Sequence, residues 1–90
     1  GGSFVTSNRE SGDGRYDIQL KPVKKGLPGI LIELKAEKDC SVEKLKKLSE
    51  TALQQINDKR YDTELLSAGV RTIYKYGVAF SGKKVEVIVG

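Results

Sequence analysis

The sequence predicts an α/β (α+β) fold in which three strands precede a main helix and a C-terminal β-hairpin follows it. Three patterns carry this expectation. Residues 16–20 alternate, with Tyr16, Ile18 and Leu20 on one face and Asp17 and Gln19 on the other. Residues 30–34 are nearly all apolar, the pattern of a central strand covered on both faces. Residues 41–57 then change period and place Val42, Leu45, Ser49, Ala52, Leu53 and Ile56 on one helical stripe.

Taken in order, Phe4-Val5-Thr6 is a short β-prone segment, and the polar, glycine-containing stretch from Ser7 to Gly14 reads as a loop. After the strand at 16–20, residues 21–29 carry two prolines and two glycines, which is turn chemistry. In the strand from Ile30 to Lys35, Ile30, Ile32 and Leu34 point one way, and Leu31, Glu33 and Lys35 the other. Ser41 suits the N-cap of the main helix, and Glu43 suits its first turn. At roughly 100° per residue, Gln55 lies beside the apolar stripe near Leu48, whereas Gln54 points away from it. Lys44, Lys46 and Lys47 fall mainly outside the stripe. Tyr61 to Ala68 forms a second, shorter helical piece with Gly69 as its stop. Arg71 to Phe80 and Lys83 to Val89 are β-rich and flank Ser81-Gly82, a hairpin pattern.

Ninety residues make one domain with a thin core. Gly1-Gly2-Ser3 reads as a cloning scar or linker, and residues 4–90 as the single domain. No apolar run approaches the roughly 20 residues of a membrane helix, and no signal peptide is visible, so a cytoplasmic protein is expected. The net charge of +4 is a mild bias toward a polyanion, and a basic surface that only keeps the chain soluble gives the same number.

Cys40 is the sole cysteine, so an internal disulfide is excluded; its simplest role is a buried bystander. The chain has no histidine, which excludes Ser-His-Asp catalysis and leaves Cys40 without a base. A metal must therefore be held by oxygen ligands, which favours Mg2+ or Mn2+.

The residues that bear chemistry are Asp17 and the triplet Glu33-Leu34-Lys35. A metal-dependent phosphodiesterase gathers carboxylate oxygens around a hard cation, which polarises a phosphate and activates a water. A nearby lysine neutralises charge that builds on the phosphate. Asp17, Glu33 and Lys35 meet these needs if their two strands pair antiparallel across the 21–29 turn, and register decides whether Asp17 joins the other two. Glu10 is a candidate third acid. The plainer alternative is a solvent-facing Glu33 and Lys35, with Asp17 paired to Arg15 or Lys35. The apolar context of Glu33 weighs against it.

Four blocks in this order resemble the PD-(D/E)XK nuclease superfamily: residues 7–18, which contain Glu10, Arg15 and Asp17; Ile30-Leu31-Ile32-Glu33-Leu34-Lys35; Ala52-Leu53-Gln54-Gln55-Ile56 with Tyr61; and Tyr76-Gly77-Val78-Ala79-Phe80 with Gly82-Lys83. In particular the chain is similar to the nuclease-like domain found C-terminal to an AAA-type ATPase-like domain in bacterial and archaeal proteins. The resemblance implies a restriction-endonuclease-like mixed sheet and a fragment of a longer protein. It implies Asp17 and Glu33 as metal-binding acids, the Leu34 carbonyl as a further ligand, and Lys35 as the motif lysine. Gln55 matches the helix-borne glutamine that frames the site. Glu10, Arg15 and Tyr61 are auxiliary: Arg15 either contacts a phosphate or forms an edge salt bridge, and Tyr61 either accompanies Gln55 or packs on the sheet.

The implied activity is phosphodiester hydrolysis of nucleic acid, DNA favoured over RNA, by metal-activated water. The competing expectation is an inactive nuclease-fold module that binds nucleic acid or regulates an attached ATPase. One departure from the superfamily pattern matters. Its members usually open with a helix packed on the sheet, whereas here the first strand lies within a few residues of the first residue given. An uncovered apolar sheet face is therefore expected, and it invites dimerisation or poor activity.

Overall fold

The structure, a computed structural model of the chain, describes residues 4–10 and 15–90, with side chains for Thr6 and residues 16–90. Its strands are β1 (Phe4–Glu10), β2 (Arg15–Pro22), β3 (Gly29–Ala36), β4 (Ile73–Ser81) and β5 (Lys84–Val89). Helices α1 (Val42–Asp58) and α2 (Thr63–Ser67) lie between β3 and β4. The strands form one sheet in the order β1-β2-β3-β4-β5. Only the β3–β4 pair is parallel, because the α1–α2 crossover separates those strands; the other pairs are antiparallel. The sheet is therefore mixed, with a helix after the third strand and a C-terminal hairpin, as the sequence implies.

Three expectations need correction. Residues 7–10 belong to β1 and not to a loop, and they pair with β2 as far as Glu10 opposite Tyr16. An edge strand needs backbone partners on one side only, so a polar segment without apolar period joins it readily. The second helix covers Thr63–Ser67, with Tyr61 and Asp62 in the turn before it, and β4 begins at Ile73. Finally, β3 is central but covered on one face. Leu31 and Glu33 are buried on the helix face, whereas Ile30, Ile32 and Leu34 on the other face are half-buried. At the β5 edge of that second face, Val85, Val87 and Val89 are 59%, 54% and 61% exposed, so no described element packs over them.

Helix α1 starts at the Ser41 N-cap, whose hydroxyl accepts from the Lys44 amide at 3.2 Å. Lys44 Nζ also donates to Glu37 Oε1 at 3.1 Å. This hydrogen bond, aided by the carboxylate charge, raises the Lys44 pKa above its ordinary value. The buried stripe of α1 is Leu45, Ser49, Ala52 and Ile56. Val42 is exposed, because a helical side chain leans toward the N-terminus and the first one reaches past the packed turns. One core cluster joins Leu31, Ile56, Leu65 and Val70; a second joins Cys40, Leu45 and Ala79. Cys40 is buried, its amide donating to Ser81 Oγ at 3.1 Å.

Both helices end in a Schellman motif, in which the chain turns left-handed and two amides cap free carbonyls. After α1, Arg60 adopts φ 53°, with Arg60 N to Asn57 O at 3.3 Å and Tyr61 N to Ile56 O at 3.4 Å. After α2, Gly69 adopts φ 87°, with Gly69 N to Leu66 O at 3.0 Å and Val70 N to Leu65 O at 3.1 Å. In each case the residue after the turn packs on the core, Tyr61 in the first motif and Val70 in the second. Arginine bears a steric cost at positive φ that glycine does not. Arg60→Gly is therefore expected to stabilise the fold by roughly 0.5–1 kcal/mol, less whatever the Arg60–Asp62 contact contributes. Thermal or urea denaturation checks it, and a loss of stability contradicts it.

Candidate active site

The site is built on the helix-covered face of β2 and β3. Register sets Asp17 directly opposite Glu33 and Arg15 opposite Lys35. Directly opposed residues in an antiparallel pair share a face, with Cβ atoms about 4.5–5.5 Å apart. The two acids of the motif are thus cross-strand neighbours. On the other side of β3, Glu33 adjoins Gly77 of β4 and Lys35 adjoins Ala79.

The environment of the two acids is unusual for a solvated strand. Glu33 is 0% exposed, among the largest fully buried side chains of the fold. A carboxylate at such a depth persists only when positive or hydrogen-bonding groups meet it, and both Glu33 and Lys35 have interaction partners. Asp17 is half-buried, yet its Oδ1 is out of solvent and without a hydrogen-bond partner. The same holds for Gln55 Oε1 on α1. By contrast Gln54 is exposed and donates from Nε2 to Asp58 Oδ1 at 2.9 Å. Buried acceptors left without a donor cost about 1–3 kcal/mol each, which is tolerated where they serve a cation or a donor that arrives with a ligand.

The remaining candidates divide clearly. Leu34 has its side chain on the opposite face, so only its backbone carbonyl is available to the acids. Tyr61 packs against the cluster of Leu31, Ile56 and Leu65, and Lys59 Nζ lies 6.0 Å from its ring centre. Glu10 and Arg15 are placed by backbone register alone, opposite Tyr16 and Lys35. Their side chains lie outside the described residues, as do Gly12 and Gly14 altogether. Register also sets Arg9 opposite Asp17, an adjacency that the sequence does not give, and its side chain too lies outside the described residues. Extending β1 to Glu10 is the step that reveals it, and the polar composition of residues 7–10 hides that extension.

The donors available to a metal are all oxygens, a set suited to a hard divalent cation. Among the described residues no three of His, Cys, Asp and Glu gather in one place, and the acids that register brings together here are Asp17 and Glu33. Also among the described residues, no helix is long and apolar enough to cross a membrane.

A mixed sheet, a helical crossover between its two parallel strands and an acid-x-Lys on the central strand define the restriction-endonuclease-like class of α+β folds. The sequence profile of the PD-(D/E)XK nuclease superfamily matches residues 1–89, and the chain belongs to that superfamily. Members of the superfamily generally use divalent metals. No curated protein and no solved structure matches the chain.

Proposed function

We propose that this domain hydrolyses phosphodiester bonds of nucleic acid, DNA in preference to RNA, with a divalent cation, Mg2+ or Mn2+, held by Asp17, Glu33 and the Leu34 carbonyl. The observation that carries this reading is the direct opposition of Asp17 and Glu33, one with a buried, unsatisfied oxygen and the other fully buried. A cation bound there would supply positive charge to the phosphate and lower the pKa of a bound water, giving a nucleophile at neutral pH. Lys35, two residues beyond Glu33 and on its face, offsets negative charge that grows on the phosphate. Gln55, whose Oε1 is buried, presents its amide from α1 and orients the water or the phosphate by hydrogen bonding. Arg15 contributes a phosphate contact and Glu10 a further acid, both from the first hairpin.

The test is Mg2+- or Mn2+-dependent cleavage of plasmid, linear DNA and RNA. Cleavage that needs the metal and disappears in Asp17→Ala supports the reading; no cleavage by wild type, or equal cleavage by both proteins, overturns it. The two glutamines give a sharper check. Gln55→Ala is expected to lower the single-turnover rate by about tenfold or more, by analogy with the loss of groups that orient a metal site. Gln54→Ala, altered on the exposed side of the same helix, is expected to stay within about twofold.

The competing reading is a module that binds nucleic acid without cutting it or regulates an attached ATPase-like domain. This reading predicts binding of oligonucleotides that is indifferent to Mg2+ and Mn2+.

A further inference from the structure

A second concave feature lies at the end of the sheet where β3 begins. The turn at 22–27 and the loop at 68–72 enclose a cavity of about 460 Å3. Lys24, Lys25 and Arg71 line it, and all three are exposed. None of the three makes an ion pair among the described residues, where lysine and arginine pairs occur at Lys44, Arg60 and Lys75. The segments 18–32 and 65–85, which contain the two walls, hold no Asp or Glu at all. Three uncompensated cations thus line one concavity of a chain whose net charge is +4.

We propose that this cavity is a phosphate subsite that holds the backbone of a nucleic-acid strand whose scissile bond lies at Asp17 and Glu33. The proposal rests on the nuclease reading and adds to it the path of the substrate. Arg71 offers the planar donor fork that suits a phosphate, and Lys24 and Lys25 act as point charges beside it. No aromatic side chain lines the cavity, so it has no platform on which to stack a base. It reads phosphate and sugar, contacts that position a strand without reading its sequence.

The strand β2 connects the two places. Pro22, which lines the cavity, is five residues beyond Asp17, roughly 16 Å at the usual rise of a strand. Gln19 and Lys21 lie between them on the face of Asp17 by the two-residue period. That span corresponds to about five phosphates of rise along one strand of B-form DNA. The same phosphate chemistry has a second source, a free anion or nucleotide, and the experiment separates the two.

Binding is measured by fluorescence anisotropy with labelled single- and double-stranded 20-mers, in EDTA so that no cleavage occurs. Wild type is compared with Lys24→Gln/Lys25→Gln/Arg71→Gln and with a charge-matched control, Lys46→Gln/Lys47→Gln/Lys83→Gln. All six positions are exposed, and thermal melts verify that both variants fold. The cavity variant is expected to bind about tenfold or more weakly near 0.1 M salt, with the log–log salt slope for the single strand reduced by about 2. The control is expected to stay within about threefold of wild type. If both variants weaken equally, or neither does, the subsite is wrong. If inorganic phosphate shifts the amide signals of residues 22–27 and 68–72 while oligonucleotide binding is unchanged in the cavity variant, the cavity takes free anions and the proposal fails. Loss of the subsite with metal-dependent cleavage intact leaves the nuclease reading standing. A wild type that binds through the cavity and never cleaves with Mg2+ or Mn2+ overturns the nuclease reading alone.

Discussion

Asp17→Ala is expected to reduce metal-dependent cleavage on the order of 10³-fold while leaving stability within about 1 kcal/mol of wild type. The two halves of this prediction have separate origins. Asp17 stands opposite Glu33 in register, so its removal takes away one of the two acids paired across β2 and β3. Its Oδ1 is buried without a hydrogen-bond partner, so the fold gains little from it in the absence of a ligand. Deleting an unsatisfied acceptor relieves a desolvation cost that offsets the lost packing. A residue that merely held the sheet together would behave in the opposite way, losing stability along with activity. Single-turnover cleavage and metal-free urea denaturation of the same preparations measure both quantities. Equal losses of stability and rate would reassign Asp17 to the scaffold.

The second large effect concerns Gly77, in the centre of β4. A Cβ built there meets the Ser49 carbonyl oxygen at 2.2 Å and the Leu53 amide nitrogen at 2.7 Å. Both are backbone atoms of α1, which cannot rotate aside as a side chain does. The helix lies this close because glycine presents no side chain to it. Gly77→Ala must therefore lift α1 from the sheet, opening gaps around Ala52 and Ile56, which are 0% and 1% exposed. Overpacking of this kind costs 1–3 kcal/mol, and contact with rigid backbone places it at about 3 kcal/mol or more. Against the roughly 5 kcal/mol that a small domain has to spare, the variant is expected to be largely molten or insoluble at 37 °C. Gly77 also adjoins Glu33 across the β3–β4 pair, so any variant that does fold is expected to cleave poorly. A cooperative melt within a few degrees of wild type would show that α1 does not need its close seat.

Much of this architecture is legible in the sequence, for reasons that differ by element. The alternation at 16–20 and the apolar run at 30–34, joined by a turn rich in proline and glycine, lead directly to the β2–β3 pair, whereas the register that sets Asp17 opposite Glu33 comes from the structure. The 3.6-residue stripe distinguishes Gln55 from Gln54, because Val42, Leu45, Ala52, Leu53 and Ile56 fix the phase of the helix. The membership in a nuclease superfamily follows from motif blocks in order and not from composition.

The parts that were not legible share a cause: each depends on contacts that leave no local pattern. Ser7-Asn8-Arg9-Glu10 has neither apolar period nor strand propensity, and becomes strand because β2 offers a free edge. Ile30, Ile32 and Leu34 look like residues covered from above, yet they are half-buried and the helices pack on the other face of β3. Arg60 carries no signal for a left-handed turn; the docking of Tyr61 on Ile56 and Leu65 imposes it. The basic cavity joins Lys24 and Lys25 to Arg71, far apart in the chain, and the start of the β3–β4 pair, with Gly29 N to Thr72 O at 2.8 Å, brings their loops together.

The most direct test of the central claim is a Mn2+ titration followed by amide NMR of the 90-residue chain. A cation held by Asp17, Glu33 and the Leu34 carbonyl broadens the amides of residues 17 and 33–35 first, then that of Gln55, at metal concentrations that leave residues 22–27 and 68–72 sharp. Asp17→Ala should abolish this order. Broadening spread evenly over exposed carboxylates such as Glu43 and Glu64, or identical in wild type and Asp17→Ala, would contradict a metal site at the opposed acids.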